Sequence, residues 1–195
     1  MLIVEGADLT GKTTLCKRLV RELNQRGSLE GEWNYSHMTA PGSRWDFYWS
    51  YLEFMRRRAV QDRFYLSELA YRGIRGDREP KLTSFESNLI RAQLILMGGL
   101  TVILTTTENG LLLAHSRTPR TEMYGMEGIY QANHWYMHDP RSQGDHGQTT
   151  LKRHQGSGQQ WPAEDNEFVK AVIENYVEKQ VNLANTLARK TETRL

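Results

Sequence analysis

Residues 2 to 14 read Leu-Ile-Val-Glu-Gly-Ala-Asp-Leu-Thr-Gly-Lys-Thr-Thr and leave the chain few folds to choose from. Leu2 to Val4 is a short apolar run, as expected of a buried strand. Gly6 to Thr13 then spells G-x-x-x-x-G-K-T, a phosphate-binding loop between a strand and a helix. Gly6 and Gly11 let the backbone turn and approach a polyphosphate without a Cβ in the way. The N–H groups of Ala7, Asp8, Leu9, Thr10 and their neighbours through Thr14 are placed to face that anion, together with the positive end of the following helix. Lys12 is able to reach the β- and γ-phosphates, and the Thr13 hydroxyl is suited to ligate Mg²⁺. The expectation is a chain that binds a nucleoside triphosphate.

The remainder alternates between strand and helix patterns. Residues 13 to 26 place Leu15, Leu19, Val20 and Leu23 on one helical face, and Gly27 closes the helix. Asn34 to Met38 reads as a second strand, followed by a turn at Thr39-Ala40-Pro41-Gly42. Ser43 with Asp46 predicts a capped helix to about Arg58, and Ala59 to Phe64 predicts the next strand. Residues 72 to 82, rich in Gly, Arg and Pro, predict a loop. Thr83 with Glu86 is a second capping signature, with Phe85, Leu89, Ala92 and Leu96 as the expected core face. Leu100 to Thr105 predicts a buried strand, and shorter helices follow over about 108 to 116 and 128 to 138. Residues 139 to 162, rich in Gly, Gln and His, predict a long loop. Phe168, Val169, Val172, Ile173, Tyr176, Val177, Leu183, Ala184 and Leu187 mark a long amphipathic helix. This alternation predicts one α/β domain over residues 1 to 195, with three layers and a parallel sheet of about five strands.

Charge narrows the partners. The 25 basic and 23 acidic residues leave +2, which is no footprint for broad nucleic-acid binding. The single cysteine, Cys16, excludes a disulfide framework and reads as a core residue. No apolar run approaches ~18 residues, so no membrane span is expected. The first strand begins at once, without room for a signal peptide, so the expected setting is the cytoplasm. His134, His138, His146 and His154 lack a metal-ligand spacing and are expected to face solvent.

A phosphate-binding loop names a ligand and not a reaction. A guanine-reading N-K-x-D is missing, and Val102 to Leu104 runs into threonines where a motor ATPase has an acid. Asp62 to Gly73 instead reads Asp-Arg-Phe-Tyr-Leu-Ser-Glu-Leu-Ala-Tyr-Arg-Gly. With the Glu5 to Thr14 loop, this segment resembles the thymidylate kinases and their nucleoside monophosphate kinase relatives. Arg117 and Arg120 sit where that family has its arginine-bearing lid, here about residues 115 to 128. The resemblance implies a P-loop kinase using ATP and Mg²⁺, with a deoxynucleoside monophosphate as acceptor. It implies that Lys12 and Thr13 hold the donor phosphates and the metal, and that Asp62 helps place the metal. Asp8 would meet the acceptor sugar, Arg63 would grip the acceptor phosphate, and Ser67 and Tyr71 would line the acceptor pocket. Arg117 and Arg120 would close over the transferring group, supplying positioning and charge neutralisation.

The aromatic run Trp45, Phe47, Tyr48, Trp49, Tyr51 and Phe54 places most rings against the core, with Tyr48 a candidate for the acceptor base. Arg56, Arg57 and Arg58 fit either a helix C-terminus or an acceptor-phosphate contact. The chain departs from the family in three places. Residues 39 to 42 replace Arg-Glu-Pro-Gly, Arg72 replaces the family's base-reading glutamine, and residues 139 to 162 lack an apolar strand. These departures keep a second acceptor in view, the hydroxymethyl group of a modified pyrimidine in DNA, as in some phage kinases of the superfamily. Arg56 to Arg58, Arg72, Arg75, Arg78 and Lys152-Arg153-His154 would then be the backbone contacts. A non-catalytic ATP switch is the third reading, and the oligomeric state is left open, a homodimer included.

Overall fold

The described residues of a computed structural model, 1–27, 31–38, 44–55, 58–76, 82–117, 125–143, 150–156 and 161–192, form thirteen elements. In chain order they begin β1 (Leu2–Gly6), α1 (Lys12–Gln25), β2 (Asn34–His37), α2 (Arg44–Met55), β3 (Ala59–Asp62) and α3 (Tyr65–Arg75). There follow α4 (Ser84–Leu96), β4 (Leu100–Thr106), α5 (Glu108–Arg117), α6 (Gly125–His138), α7 (Pro140–Gln143), β5 (Thr150–Gln155) and α8 (Asn166–Glu192). The five strands lie in the order β2-β3-β1-β4-β5, and every pairing is parallel.

Strand β1 shows why the sheet needs two covers. Side chains alternate across a strand, so Leu2 and Val4 face one way and Ile3 the other. Leu2 and Val4 join Leu15 and Leu19 of α1 and Phe168, Val172 and Ile173 of α8. Ile3 joins Phe64, Ile90, Ile129 and Tyr136 on the opposite face. This is the three-layer α/β architecture that the strand and helix alternation predicts. All carboxyl ends share one edge, and the chain crosses β1 in passing from β3 to β4. The crevice beyond β1 is therefore the topological switch point, where such sheets bind ligands.

Four expectations are corrected. Residues 72 to 75 continue α3, which ends at Gly76 with φ 69°, and are not part of a loop. The preceding strand stops at Asp62 because Arg63 turns into the left-handed region at φ 68°. Helix α4 has the expected capping box, yet it buries Ser87, Ile90 and Leu94. Phe85 and Leu96 are exposed at 71% and 69%. Apolar residues surround that helix, so spacing alone does not select its inner face. Finally, the stretch 139 to 162 contains α7 and the strand β5. That strand is polar and is held by its register on β4, from Thr101 opposite Thr150 to Thr106 opposite Gln155. A strand therefore does stand before the last helix, but it is polar where the kinase pattern has an apolar one.

Along α8 the core packing ends at Tyr176, and Val177 and Leu187 are 46% and 57% exposed. No helix of the described residues is long and apolar enough to cross a membrane. Cys16 is free and buried between α1 and the sheet.

Candidate functional site

Beyond β1 the chain makes a loop whose backbone calls for glycine at two positions. Gly6 has φ 145°, and a Cβ there would lie 2.3 Å from the Leu104 carbonyl oxygen. Gly11, at φ 83°, precedes α1 without providing a side-chain cap. The first N–H groups of α1 thus lack a side-chain acceptor and open onto a cleft of about 450 Å³. With the helix dipole behind them, they are suited to an anion. Lys12 is 5% exposed, and its Nζ donates to the Ala7 carbonyl at 2.5 Å. Burial and the Arg63 charge lower the Lys12 ammonium to about 8, against the pull of the Asp8, Asp62 and Glu5 carboxylates.

Two carboxylates divide the cleft. Asp62, at the carboxyl end of β3, is fully buried. Its Oδ2 accepts from Thr13 Oγ1 at 2.5 Å and from the Tyr35 hydroxyl at 3.1 Å, with His37 Nδ1 at 3.4 Å. Asp62 Oδ1 is buried without a hydrogen-bond partner. An orphaned carboxylate oxygen beside a Thr hydroxyl fits a hard divalent cation such as Mg²⁺, which takes oxygen ligands and keeps phosphate and water in its remaining positions. Among the described residues no cluster of three or more His, Cys, Asp or Glu side chains could hold a metal by itself.

Asp8 forms the second centre. Arg63 is ion-paired to Asp8 Oδ1, Lys12 Nζ is 3.9 Å from the same oxygen, and Tyr71 donates to Oδ2 at 3.1 Å. The Asp8 N–H in turn donates to the Tyr71 hydroxyl at 3.0 Å. Burial pushes the Asp8 carboxyl up, but Lys12 and Arg63 outweigh it and hold it below the usual range. Burial also opposes the Arg63 charge, and Asp8 more than restores it. The left-handed backbone of Arg63 is strained for a residue with a side chain. It is fixed by the Arg63 N–H donating to the Val4 carbonyl at 3.0 Å.

What fixes α3 behind this centre is Glu5, buried at 0% exposure. Its Oε1 accepts from the N–H groups of Phe64, Leu66 and Ser67, and its Oε2 from the Ser67 and Tyr136 hydroxyls. A strand residue therefore caps the helix that carries Ser67 and Tyr71. Lower on the same helix, Glu68 is ion-paired to Arg75, with side chains 4% and 16% exposed. Arg75→Ala is expected to cost ~3–5 kcal/mol, because it breaks a buried ion pair by removing one partner. Denaturant unfolding measures that loss, and a cost near zero would mean that Glu68 is adequately held by other groups.

Of the residues expected in the site, Asp8, Leu9, Gly11, Lys12, Thr13, Thr14, Asp62, Arg63 and Arg117 line the cleft. Gly6, Ala7, Thr10 and Tyr71 shape it from beneath, Thr10 through its hydroxyl donating to the Ala7 carbonyl at 2.8 Å. Besides Tyr71, three expected acceptor contacts are not among the described residues lining it. Ser67 is spent on Glu5 and Tyr136. Tyr48 packs edge-on with Trp49 and against the core. Arg72 opens on the far side of α3. Arg120, Arg56, Arg57, Arg78, the 39 to 42 turn and His146 lie outside the described residues. Lys152 donates to the Tyr136 carbonyl and Arg153 pairs with Asp165, so this cluster braces β5. His134, His138 and His154 are exposed.

Sequence reasoning did not find Tyr35, His37, Glu5, Tyr136 or Trp161. Trp161 lines the cleft beside Gly11, 3.6 Å from where a Cβ would sit. A tryptophan just before the last helix was the one visible signal.

No protein-family model matches the sequence, and no curated protein matches it. Among solved structures, the chain resembles the YorR protein of Bacillus subtilis in complex with phosphorylated GDP. The TM-score is 0.63 and the identity 17%, over 88% of this chain and 92% of that one. It also aligns with the deoxyadenosine kinase of M. mycoides, solved with dCMP and a flexible dCDP bound. There the TM-score is 0.46 and the identity 13%, over 93% and 98% of the two chains. The first similarity is one of fold.

Proposed function

We propose that the protein transfers the γ-phosphoryl group of ATP to a nucleotide, with a deoxynucleoside monophosphate as the preferred acceptor. One observation carries this reading. A single cleft joins an uncapped helix N-terminus and Lys12, suited to a polyphosphate, to an Arg63–Asp8–Tyr71 centre suited to a phosphorylated sugar.

In this reading the loop N–H groups and Lys12 bind the donor phosphates, and Trp161 offers its ring to the donor base. Thr13 and Asp62 would hold Mg²⁺, whose chemistry is to neutralise charge on the donor phosphates. Arg63 holds the acceptor phosphate while Asp8, kept ionised by its neighbours, accepts from a sugar hydroxyl. An acceptor phosphate oxygen forms its bond to the γ-phosphorus as the bond from that phosphorus to the β-bridging oxygen breaks. The products are ADP and the nucleoside diphosphate, and no proton has to be removed from the attacking oxygen. Arg117, at the end of α5, faces the transferring group and offsets its charge.

A screen with γ-labelled ATP and Mg²⁺ tests this against each deoxynucleoside monophosphate and against plain and hydroxymethyl-pyrimidine DNA. Label on a free monophosphate is the expected result. Label on modified DNA alone would move the acceptor to a base within a strand, a reading favoured by the outward position of Arg72. Arg63→Ala is expected to lower kcat/KM for the acceptor by ~10²–10³-fold, the cost of one charge-assisted contact, with ATP affinity nearly unchanged. An ATP-binding switch would show neither labelling nor this acceptor-specific loss.

A further inference from the structure

Helix α3 has a second functional face. Ser67 and Tyr71 turn toward β1 and the cleft, whereas Tyr65, Leu69 and Arg72 turn toward α4 and α7. Between these three helices lies a recess of about 90 Å³, and it shares no described residue with the cleft. Three guanidinium groups from three different helices line it: Arg72, Arg91 and Arg141. No carboxylate is among its described lining residues. Asp139 holds Arg141 at 2.7 Å and Arg91 has an interaction of its own, while Arg72 has no ion pair among the described residues.

The floor of the recess carries an unspent donor. Ser87 is 8% exposed, and its Oγ has no hydrogen-bond partner. A buried hydroxyl left unpaired is uncommon in folded proteins, and each case asks for a missing partner. Here it lines a small recess with three arginines and the Asn88 side chain. The Arg72 guanidinium and the idle Ser87 hydroxyl, with Arg91 and the Asp139-held Arg141 beside them, are both satisfied by one tetrahedral oxyanion, since guanidinium matches phosphate geometry.

The recess opens onto a wider concavity that shares Leu69, Arg72 and Arg141 and is walled by Gln131 and Trp135. A phosphate held in the recess would leave its organic substituent over this apolar and amide-bearing surface. We infer that the recess between α3, α4 and α7 is a second phosphate-ester site, which takes the phosphate of a nucleotide unit outside the P-loop cleft. The unit comes either from a free nucleotide or from a DNA strand, and the chemistry of recognition is the same. The site stands whichever acceptor the cleft uses.

Binding to the full-length protein carrying both Lys12→Ala and Arg63→Ala, which removes the cleft's donor-phosphate and acceptor-phosphate contacts, tests the site without relying on catalysis. The probes are inorganic phosphate, thymidine monophosphate and a short single-stranded oligodeoxynucleotide, measured by calorimetry and by the arginine Nε–H NMR signals. Thymidine monophosphate or the oligonucleotide is expected to bind and to shift the Arg72 and Arg91 signals. Adding Arg72→Gln or Arg91→Gln should each weaken binding ~10-fold. Ser87→Ala, which removes only the idle hydroxyl, should weaken it ~3–10-fold without lowering the melting temperature. Saturation by the mononucleotide identifies a free-nucleotide site. Binding by the oligonucleotide alone, with a log–log salt slope that falls by about one for each arginine removed, identifies a strand.

The inference is overturned if neither nucleotide probe binds, if only inorganic phosphate binds, or if Ser87→Ala and Arg91→Gln leave binding unchanged. Those outcomes leave the acceptor screen untouched, and a failed acceptor screen leaves this binding test untouched.

Discussion

Lys12→Ala is expected to abolish phosphoryl transfer while the protein stays folded. Removing a single preorganised donor to transition-state charge costs at least ~10²–10³-fold in turnover. The fold should survive because nothing in the core depends on the ammonium. Its hydrogen bond is to the Ala7 carbonyl, and Asp8 keeps Arg63 and Tyr71 as partners. Burial already disfavours the charged lysine, lowering it to about 8. Below that pH the folded state carries a charge that the unfolded chain accommodates more easily, so the variant also sheds a penalty at neutral pH. Turnover is read with labelled ATP and the fold by thermal melting. Near-normal turnover would remove the kinase reading altogether.

The largest stability effect is expected at Glu5. Glu5→Ala leaves the Phe64 and Leu66 N–H groups without their side-chain acceptor in a dry interior, while the Ser67 N–H keeps only the Phe64 carbonyl and the Ser67 and Tyr136 hydroxyls keep only each other. Each such loss costs ~1–3 kcal/mol, and together they approach the ~5–15 kcal/mol that holds a domain folded. Glu5→Gln should be far milder, because its amide oxygen still accepts from the three N–H groups. The pair of variants also separates geometry from charge. Burial pushes the Glu5 carboxyl up despite its five donors. As pH rises above the ordinary Glu value of about 4.3, the unfolded chain gives up its proton first. Wild-type stability then falls with rising pH until the folded carboxyl has also ionised, and Glu5→Gln lacks this loss. Urea unfolding from about pH 4 to neutrality should therefore show the glutamine variant gaining on the wild type. Parallel curves would mean that Glu5 titrates alike in the folded and unfolded chain, and a wild type gaining on the glutamine variant would mean that its five donors outweigh burial.

The phosphate loop was legible because its chemistry is consecutive. Gly6, Gly11, Lys12 and Thr13 lie in one turn and in the helix that starts beside it, so their spacing carries the geometry. Period-2 and period-3.6 patterns likewise placed β1, α1, β4 and the first half of α8. The polar strand β5 carried no such pattern, since its stability lies in the ladder to β4. Helix α3 was hidden for a related reason. Its N-terminus is capped by a carboxylate 59 residues away from Phe64, which no local window contains.

Tyr71 and Arg72 mark the boundary between the two kinds of information. As neighbours in one motif, both were assigned to the acceptor pocket. On a helix, successive side chains point ~100° apart, so neighbours rarely share a site. The sequence by itself determined that a glycine-bearing G-x-x-x-x-G-K-T loop follows β1 and an Asp-Arg segment ends a second strand. Only the tertiary structure decided which face of α3 meets the cleft, because Glu5 and Tyr136 anchor the Ser67 side and thereby turn Arg72 to the other.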